Sequence, residues 1–132
     1  MVQLRAAVQR LLRGDGSAYR ELWSHAEDAT MMGAYGGLAA GWSQIGAAID
    51  RAAQKYAGWQ PEYSEQLIAA QAVGDMGYVI LRERVGNGAG SDAVRSRRVT
   101  VLYRREGDRW RIFHHHSDPL HDHEPPERTG TA

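Results

Sequence analysis

The chain has no cysteine, and only one phenylalanine, one lysine and four prolines among its 132 residues. The lack of cysteine excludes disulfides and thiolate chemistry, and it fits a reducing compartment. Neither sign of charge is in excess: 16 basic and 16 acidic side chains leave a formal net charge of zero. That balance excludes a strongly charge-driven nucleic-acid or membrane-surface protein. Arginine is dense from Arg95 to Arg111, yet much of it alternates along strands or sits at a turn, the pattern of a solvated face. Long hydrophobic runs are missing as well. No segment approaches the roughly 20 apolar residues of a membrane span, and residues 1–5 (MVQLR) lack the apolar stretch of a leader. The expectation is a cytoplasmic protein with neither a nucleic-acid nor a membrane partner. Phosphate-binding and nucleophile signatures are missing too. The glycines at Gly33, Gly36, Gly37 and Gly41 are not followed by Lys-Ser/Thr, and the sequence carries neither a dinucleotide fingerprint nor a serine elbow.

What is present is a chain of one-domain length that can bury a core without covalent staples. Leu4, Val8, Leu11 and Leu12 recur at helical spacing and predict a helix over residues 2–13, ended by Gly14. Asp15 is placed to cap a second helix reaching about residue 25, with Tyr19, Leu22 and Trp23 on one face. A short strand is expected over 27–32, then a glycine-punctuated turn. A third helix over 42–56 carries an apolar stripe of Ile45, Ile49, Ala52, Ala53 and Tyr56. After Pro61 the pattern is strand-like: 64–73, 76–85, 94–105 and 109–117. The connections are Gly74-Asp75, the GNGAGSD loop at 86–92 and Glu106-Gly107-Asp108. The polar tail is expected to be disordered from about residue 121. Helices followed by an antiparallel meander make an α+β domain with the helices on one side of a sheet.

The stretch with most chemical content is DRWRIFHHHS at 108–117. Strict alternation along a strand places His114 and His116 beside Trp110 and Ile112, with Arg111, Phe113 and His115 on the other face. Two imidazoles against an apolar wall can bind a polar ligand or move a proton near neutral pH. Histidines satisfied by neighbouring backbone or carboxylate groups would look the same. Glu83 shares parity with Gly77, Val79, Leu81 and Val85. A carboxylate on an apolar face must find a partner or take up a proton. In that register Glu83 faces a pocket and can pair with His114 or His116; in the opposite one Arg82 becomes the ligand contact.

His25, at the junction of the second helix and first strand, is either a pocket-mouth residue or a helix C-terminal histidine. Trp23, Tyr35, Trp42, Tyr56 and Trp59 are candidates for an aromatic ligand wall, Tyr35 and Trp42 foremost, although such residues often form plain core. Arg98 could hold a carboxylate, against the reading of a surface arginine. The histidine triplet cannot supply three metal ligands from one face, because adjacent strand residues point oppositely. His114 and His116 with Glu83 or His25 would make a two-histidine–carboxylate set. The preferred reading needs no metal and no cofactor. It takes His116, His114 and Glu83 as catalytic, with His25, Trp23, Tyr35, Trp42 and Arg98 binding the ligand.

Several segments, in order, resemble the SnoaL-like branch of the nuclear transport factor two-like superfamily, the cone fold that also houses ketosteroid isomerase and scytalone dehydratase. They are LWSHAEDAT at 22–30, GAYGGLAAGW at 33–42, GDMGYVILRE at 74–83 and RRVTVLYRREGDRWRIFHHHSDP at 97–119. The resemblance covers about residues 1–120, leaving 121–132 as the tail. It implies three helices capping a strongly curved, mostly antiparallel sheet with a pocket between them. It also implies a homodimer packed through the outer sheet face. The superfamily includes isomerases, dehydratases, cyclases, epoxide hydrolases and non-catalytic members, so the fold does not fix the function. The catalytic aspartates and tyrosine of ketosteroid isomerase find no counterpart here. The closing run from Trp110 to Ser117 is also similar to the association domain of calcium/calmodulin-dependent kinase, a non-enzymatic member. Two functions are therefore expected in parallel. One is a cofactor-free acid–base enzyme of isomerase, dehydratase, cyclase or hydrolase type acting on a small apolar metabolite. The other is a non-catalytic homodimeric ligand-binding or assembly module.

Overall fold

The computed structural model describes residues 2–34, 36–87 and 94–121. Three helices precede or interrupt the strands: α1 (Val2–Leu11), α2 (Ser17–Leu22) and α3 (Trp42–Tyr56). The strands are β1 (Thr30–Gly33), β2 (Gly36–Ala40), β3 (Pro61–Val73), β4 (Met76–Asn87), β5 (Val94–Glu106) and β6 (Arg109–Pro119). They form one curved, open sheet in the order β2-β1-β6-β5-β4-β3. Every pairing is antiparallel except β1 with β6. This is the expected α+β arrangement.

Three local readings are corrected. The glycine-rich segment after β1 is a strand rather than a turn alone, since 36–40 pairs antiparallel with β1. Its GGLAA sequence contains no β-branched residue, so only the pairing with β1 makes it a strand. The second helix is shorter than expected and ends at Leu22, because Trp23 turns to extended backbone and bridges to Ile112. Asp15 does not sit at the N-cap position. Its Oδ1 accepts from Ser17 N at 3.1 Å and from Ser17 Oγ at 2.7 Å, one residue ahead of the cap at Gly16. Gly41 enters α3 with φ 84°, a left-handed conformation that favours glycine. The loop residues 88–93 and the tail 122–132, where a flexible loop and a disordered tail were expected, lie outside the described residues.

The helices pack on the concave sheet face. Val79, Leu81 and Val85 of β4 and Val99 and Val101 of β5 are buried there. α3 presents Ile45, Ile49, Ala53 and Tyr56 at helical spacing to the same core. Each fully buried Ile or Val contributes roughly 1.5–3 kcal/mol relative to exposure. The sheet ladders are interrupted at Ile68 in β3, at Phe113 in β6 and between Met32 and Gly33 in the β1–β2 pair. The buried residues form two clusters. The larger is centred on Trp23, Ile45, Val101 and Ile112, and the smaller joins Leu12, Tyr56 and Val85.

Candidate functional site

Between these clusters lies a partly enclosed cavity of about 170 Å³. Its walls are apolar: Val8, Leu11, Met31, Ile49 and Ala52. Its polar lining comes from Glu83, Arg97, His115, Ser117 and the Tyr56 and Tyr19 rings. Sheet register explains the convergence. Glu83 pairs directly with Arg97 across β4 and β5, and Val99 pairs with Ser117 across β5 and β6. All four belong to the inward parity of Val99 and Val101.

Glu83 is 6 % exposed. Its Oε1 lies 3.6 Å from Arg97 Nη1, and its Oε2 accepts from the Tyr63 hydroxyl at 3.1 Å. Burial pushes the Glu83 carboxyl above its ordinary value, and Arg97 and Tyr63 only partly oppose this. The Tyr63 hydroxyl also reaches Glu65 Oε2 at 2.9 Å. One phenolic proton cannot serve two carboxylates at once. The hydroxyl therefore donates to one of the two carboxyl groups at a time. Arg5 of α1 holds Glu65 at 2.9 Å, and Arg97 Nη2 donates to the Tyr56 hydroxyl at 3.4 Å.

His115, not His114 or His116, is the histidine of this cavity. The alternation expected along β6 is broken by the bulge. Tyr103 pairs with Ile112, but Leu102 pairs with His114, so Phe113 has no cross-strand partner. One extra residue exchanges the two faces for everything after it. Burial pushes the His115 imidazole down to about 4, with smaller contributions from His114, Arg97 and His116. The ring is therefore neutral at physiological pH. Its Nδ1 is buried with no hydrogen-bond partner.

The other residues singled out in the sequence fall elsewhere. His114 and His116 face outward, away from Glu83. His114 Nδ1 is 2.7 Å from Thr30 Oγ1, and His116 is exposed. Arg98 is on the outer face, bound bidentate to Asp118 at 2.8 and 2.6 Å. His25 is exposed and stacks on Trp42, with ring centroids 3.8 Å apart, and Arg20 covers the same Trp42 ring. This stack borders a shallow groove at the start of α3 rather than the cavity. Trp23 is fully buried in the larger cluster and does not line the cavity, and Tyr35 lies outside the described residues. Among the described residues, no three His, Asp or Glu side chains gather as a metal site. Arg97, Ser117 and Tyr63 were not singled out in the sequence, Tyr56 was among the candidates for an aromatic wall, and His115 was assigned to the face opposite His114 and His116. The shared parity of Arg97 with Val99 and Val101 was a usable signal. The inward turn of His115 had none, because it depends on the bulge.

The family model for the SnoaL-like domain matches residues 4–120. The chain belongs to the SnoaL-like domain family. Solved structures agree on the fold. A candidate calcium/calmodulin-dependent protein kinase type II association domain from Thiobacillus denitrificans is 20% identical with a TM-score of 0.75, over 90% of both chains. An NTF2-like protein of unknown function from Pseudomonas putida is 21% identical with a TM-score of 0.73, over 94% of this chain and 95% of that one. A candidate dehydratase of the NTF2-like family from Streptomyces avermitilis is 17% identical with a TM-score of 0.71, over 92% and 94%. At these identities the likeness is one of fold. Comparison with curated protein sequences gives no match. Among the described residues, no helix of this SnoaL-like chain is long and apolar enough to cross a membrane.

Proposed function

We propose that this SnoaL-like chain binds a small, largely apolar molecule in the cavity between helices and sheet. We propose further that Glu83 exchanges a proton with the bound molecule, in cofactor-free chemistry of isomerase, dehydratase, cyclase or hydrolase type. The supporting observation is the Glu83 carboxyl itself, which lines an apolar cavity and is oriented by Tyr63 and Arg97. A carboxyl whose ionised form is disfavoured by burial is a stronger proton acceptor than a solvated one, and it can return the proton it takes. His115 and the Tyr56 hydroxyl supply hydrogen bonds that orient the ligand. In this reading His114 and His116 take no part in proton transfer, since they open onto the other sheet face. The test is a turnover screen of small apolar metabolites with the wild type, Glu83→Gln and His116→Ala. Activity lost in Glu83→Gln and kept in His116→Ala supports the reading. Activity that survives Glu83→Gln removes Glu83 from the chemistry.

A second reading, a homodimeric binding or assembly module without catalysis, is supported by the outer sheet face. Val73, Met76 and Tyr78 lie there 76, 54 and 41% exposed, an unusual run of apolar surface. The name of the Thiobacillus structure, an association domain, points the same way by fold analogy only. A dimer through this face should dissociate in Tyr78→Glu. Sedimentation of the wild type as a monomer at micromolar concentration would sink it.

A further inference from the structure

The polar lining of the cavity selects among ligands by charge as well as shape. Glu83 and Arg97 already form an opposite-charge pair, and Arg97 also donates to Tyr56. A carboxylate ligand would have to displace Glu83 from Arg97 and would still face the Glu83 carboxyl. A cationic ligand would meet Arg97 itself. An uncharged ligand leaves the pair intact. The unmet demand is different in kind: the buried Nδ1 of His115 has no partner, and beside it the Ser117 side chain is only 4% exposed. A buried polar atom without a partner is costly, so a ligand that supplies one gains affinity there.

Resting on the reading of this cavity as a small-ligand site, we infer that its ligand is an uncharged, single-ring molecule of about ten non-hydrogen atoms or fewer, whose hydroxyl group meets His115 Nδ1. The size follows from the volume: the cavity holds about 170 Å³, and a dry cavity on the order of 150 Å³ admits benzene. The hydroxyl follows from the imidazole. A hydroxyl can donate to a bare Nδ1 and can accept from a protonated one, so it fits either tautomer of the neutral ring. A carbonyl, which only accepts, fits one of them. The apolar remainder of the ring packs on Met31, Ile49 and Ala52.

The test titrates the full chain with phenol, benzene and benzoate, followed by heteronuclear NMR. Phenol is expected to bind about five- to tenfold more tightly than benzene, the worth of one hydrogen bond, and benzoate more weakly than either. Phenol, and not benzene, should move the His115 ring nitrogen resonances. In His115→Phe the advantage of phenol over benzene should vanish while benzene still binds. Because the phenol-to-benzene ratio and the ring resonances are read on the wild type, the test survives a variant that fails to fold. Equal binding of phenol and benzene, or tightest binding of benzoate, overturns the inference and leaves the cavity reading standing. If neither benzene nor phenol perturbs Met31 and Ile49, the cavity reading falls, and the inference with it.

Discussion

Arg97 Nη1 lies 3.6 Å from Glu83 Oε1, and the two residues are directly opposed in the β4–β5 ladder. Backbone register, rather than side-chain chance, sets their meeting on the concave face. Both are largely withdrawn from water, so the pair is favourable only while it is intact. Removing one member of a buried pair leaves an uncompensated charge and costs on the order of 3–5 kcal/mol. Arg97→Gln should therefore lower unfolding free energy at pH 7 by about that amount, and its loss should shrink at pH 4, where Glu83 can protonate. Urea unfolding at both pH values measures it, and equal losses at pH 4 and pH 7 would contradict the coupling.

Glu83 also sets a pH dependence of its own. Its carboxyl is raised above the ordinary value of 4.5, burial being the largest cause. The folded state then holds the proton more tightly than the unfolded state. Its contribution is fully present below the unfolded value and is lost as pH rises through the folded value. Glu83→Gln lacks that loss. Its stability relative to wild type should improve steadily from pH 4.5 upward, whatever the offset at acid pH. Parallel thermal-unfolding profiles for the two proteins over that interval would refute the shift.

His115 acts in the opposite direction. Its imidazole is pushed down to about 4 from 6.5 by burial, so the unfolded state binds the proton more tightly. The contribution is present above 6.5 and is lost as pH falls from 6.5 towards 4. The shift corresponds to about 3.5 kcal/mol at most, on the scale of roughly 1.4 kcal/mol per pKa unit. His115→Phe should flatten the acid limb of the stability profile in that window. His116 is exposed, and His116→Ala should stay within about 0.5 kcal/mol of wild type at pH 7. If the two substitutions exchanged these behaviours, the faces assigned to β6 would be reversed.

The contrast between these histidines shows what was legible in the sequence. Helix α3 was readable from its 3.6-residue stripe, and the long strands from glycine turns between β-branched runs. The inward parity of Glu83 followed from Val79, Leu81 and Val85. The faces of His114, His115 and His116 were not readable, because a period-two pattern assumes an unbroken ladder. Phe113 breaks it with nothing in its own identity to announce a bulge. Strand β2 was missed for a related reason, since Gly36 and Gly37 carry turn chemistry and only pairing with β1 makes them a strand. The buried site thus depended on tertiary register, while the elements themselves depended on local pattern.

Arg104 joins β5 to the segment that leads into β1. Its guanidinium grips Asp28 bidentately at 2.6 and 2.7 Å, meets Glu106 at 2.9 Å and Ser24 Oγ at 3.1 Å, and covers the Phe113 ring at 5.0 Å. Ser24 is fully buried and donates to Glu106 at 2.5 Å, so the network closes on itself at the bulge. A lysine keeps the charge but cannot reproduce the planar fork or the stacking. Asp28 is mostly exposed, so its pair alone contributes little; the half-buried contacts to Ser24 and Glu106 carry most of the effect. Arg104→Lys is expected to cost about 1–2 kcal/mol, and Asp28→Asn much less. The packing that Arg104 gives Phe113 should also hold the bulge in place. Arg104→Lys should therefore speed hydrogen exchange at His114 and His115 more than in the β3–β4 ladder. Exchange that accelerates uniformly across the sheet would show that Arg104 contributes to global stability without fixing the bulge that turns His115 inward.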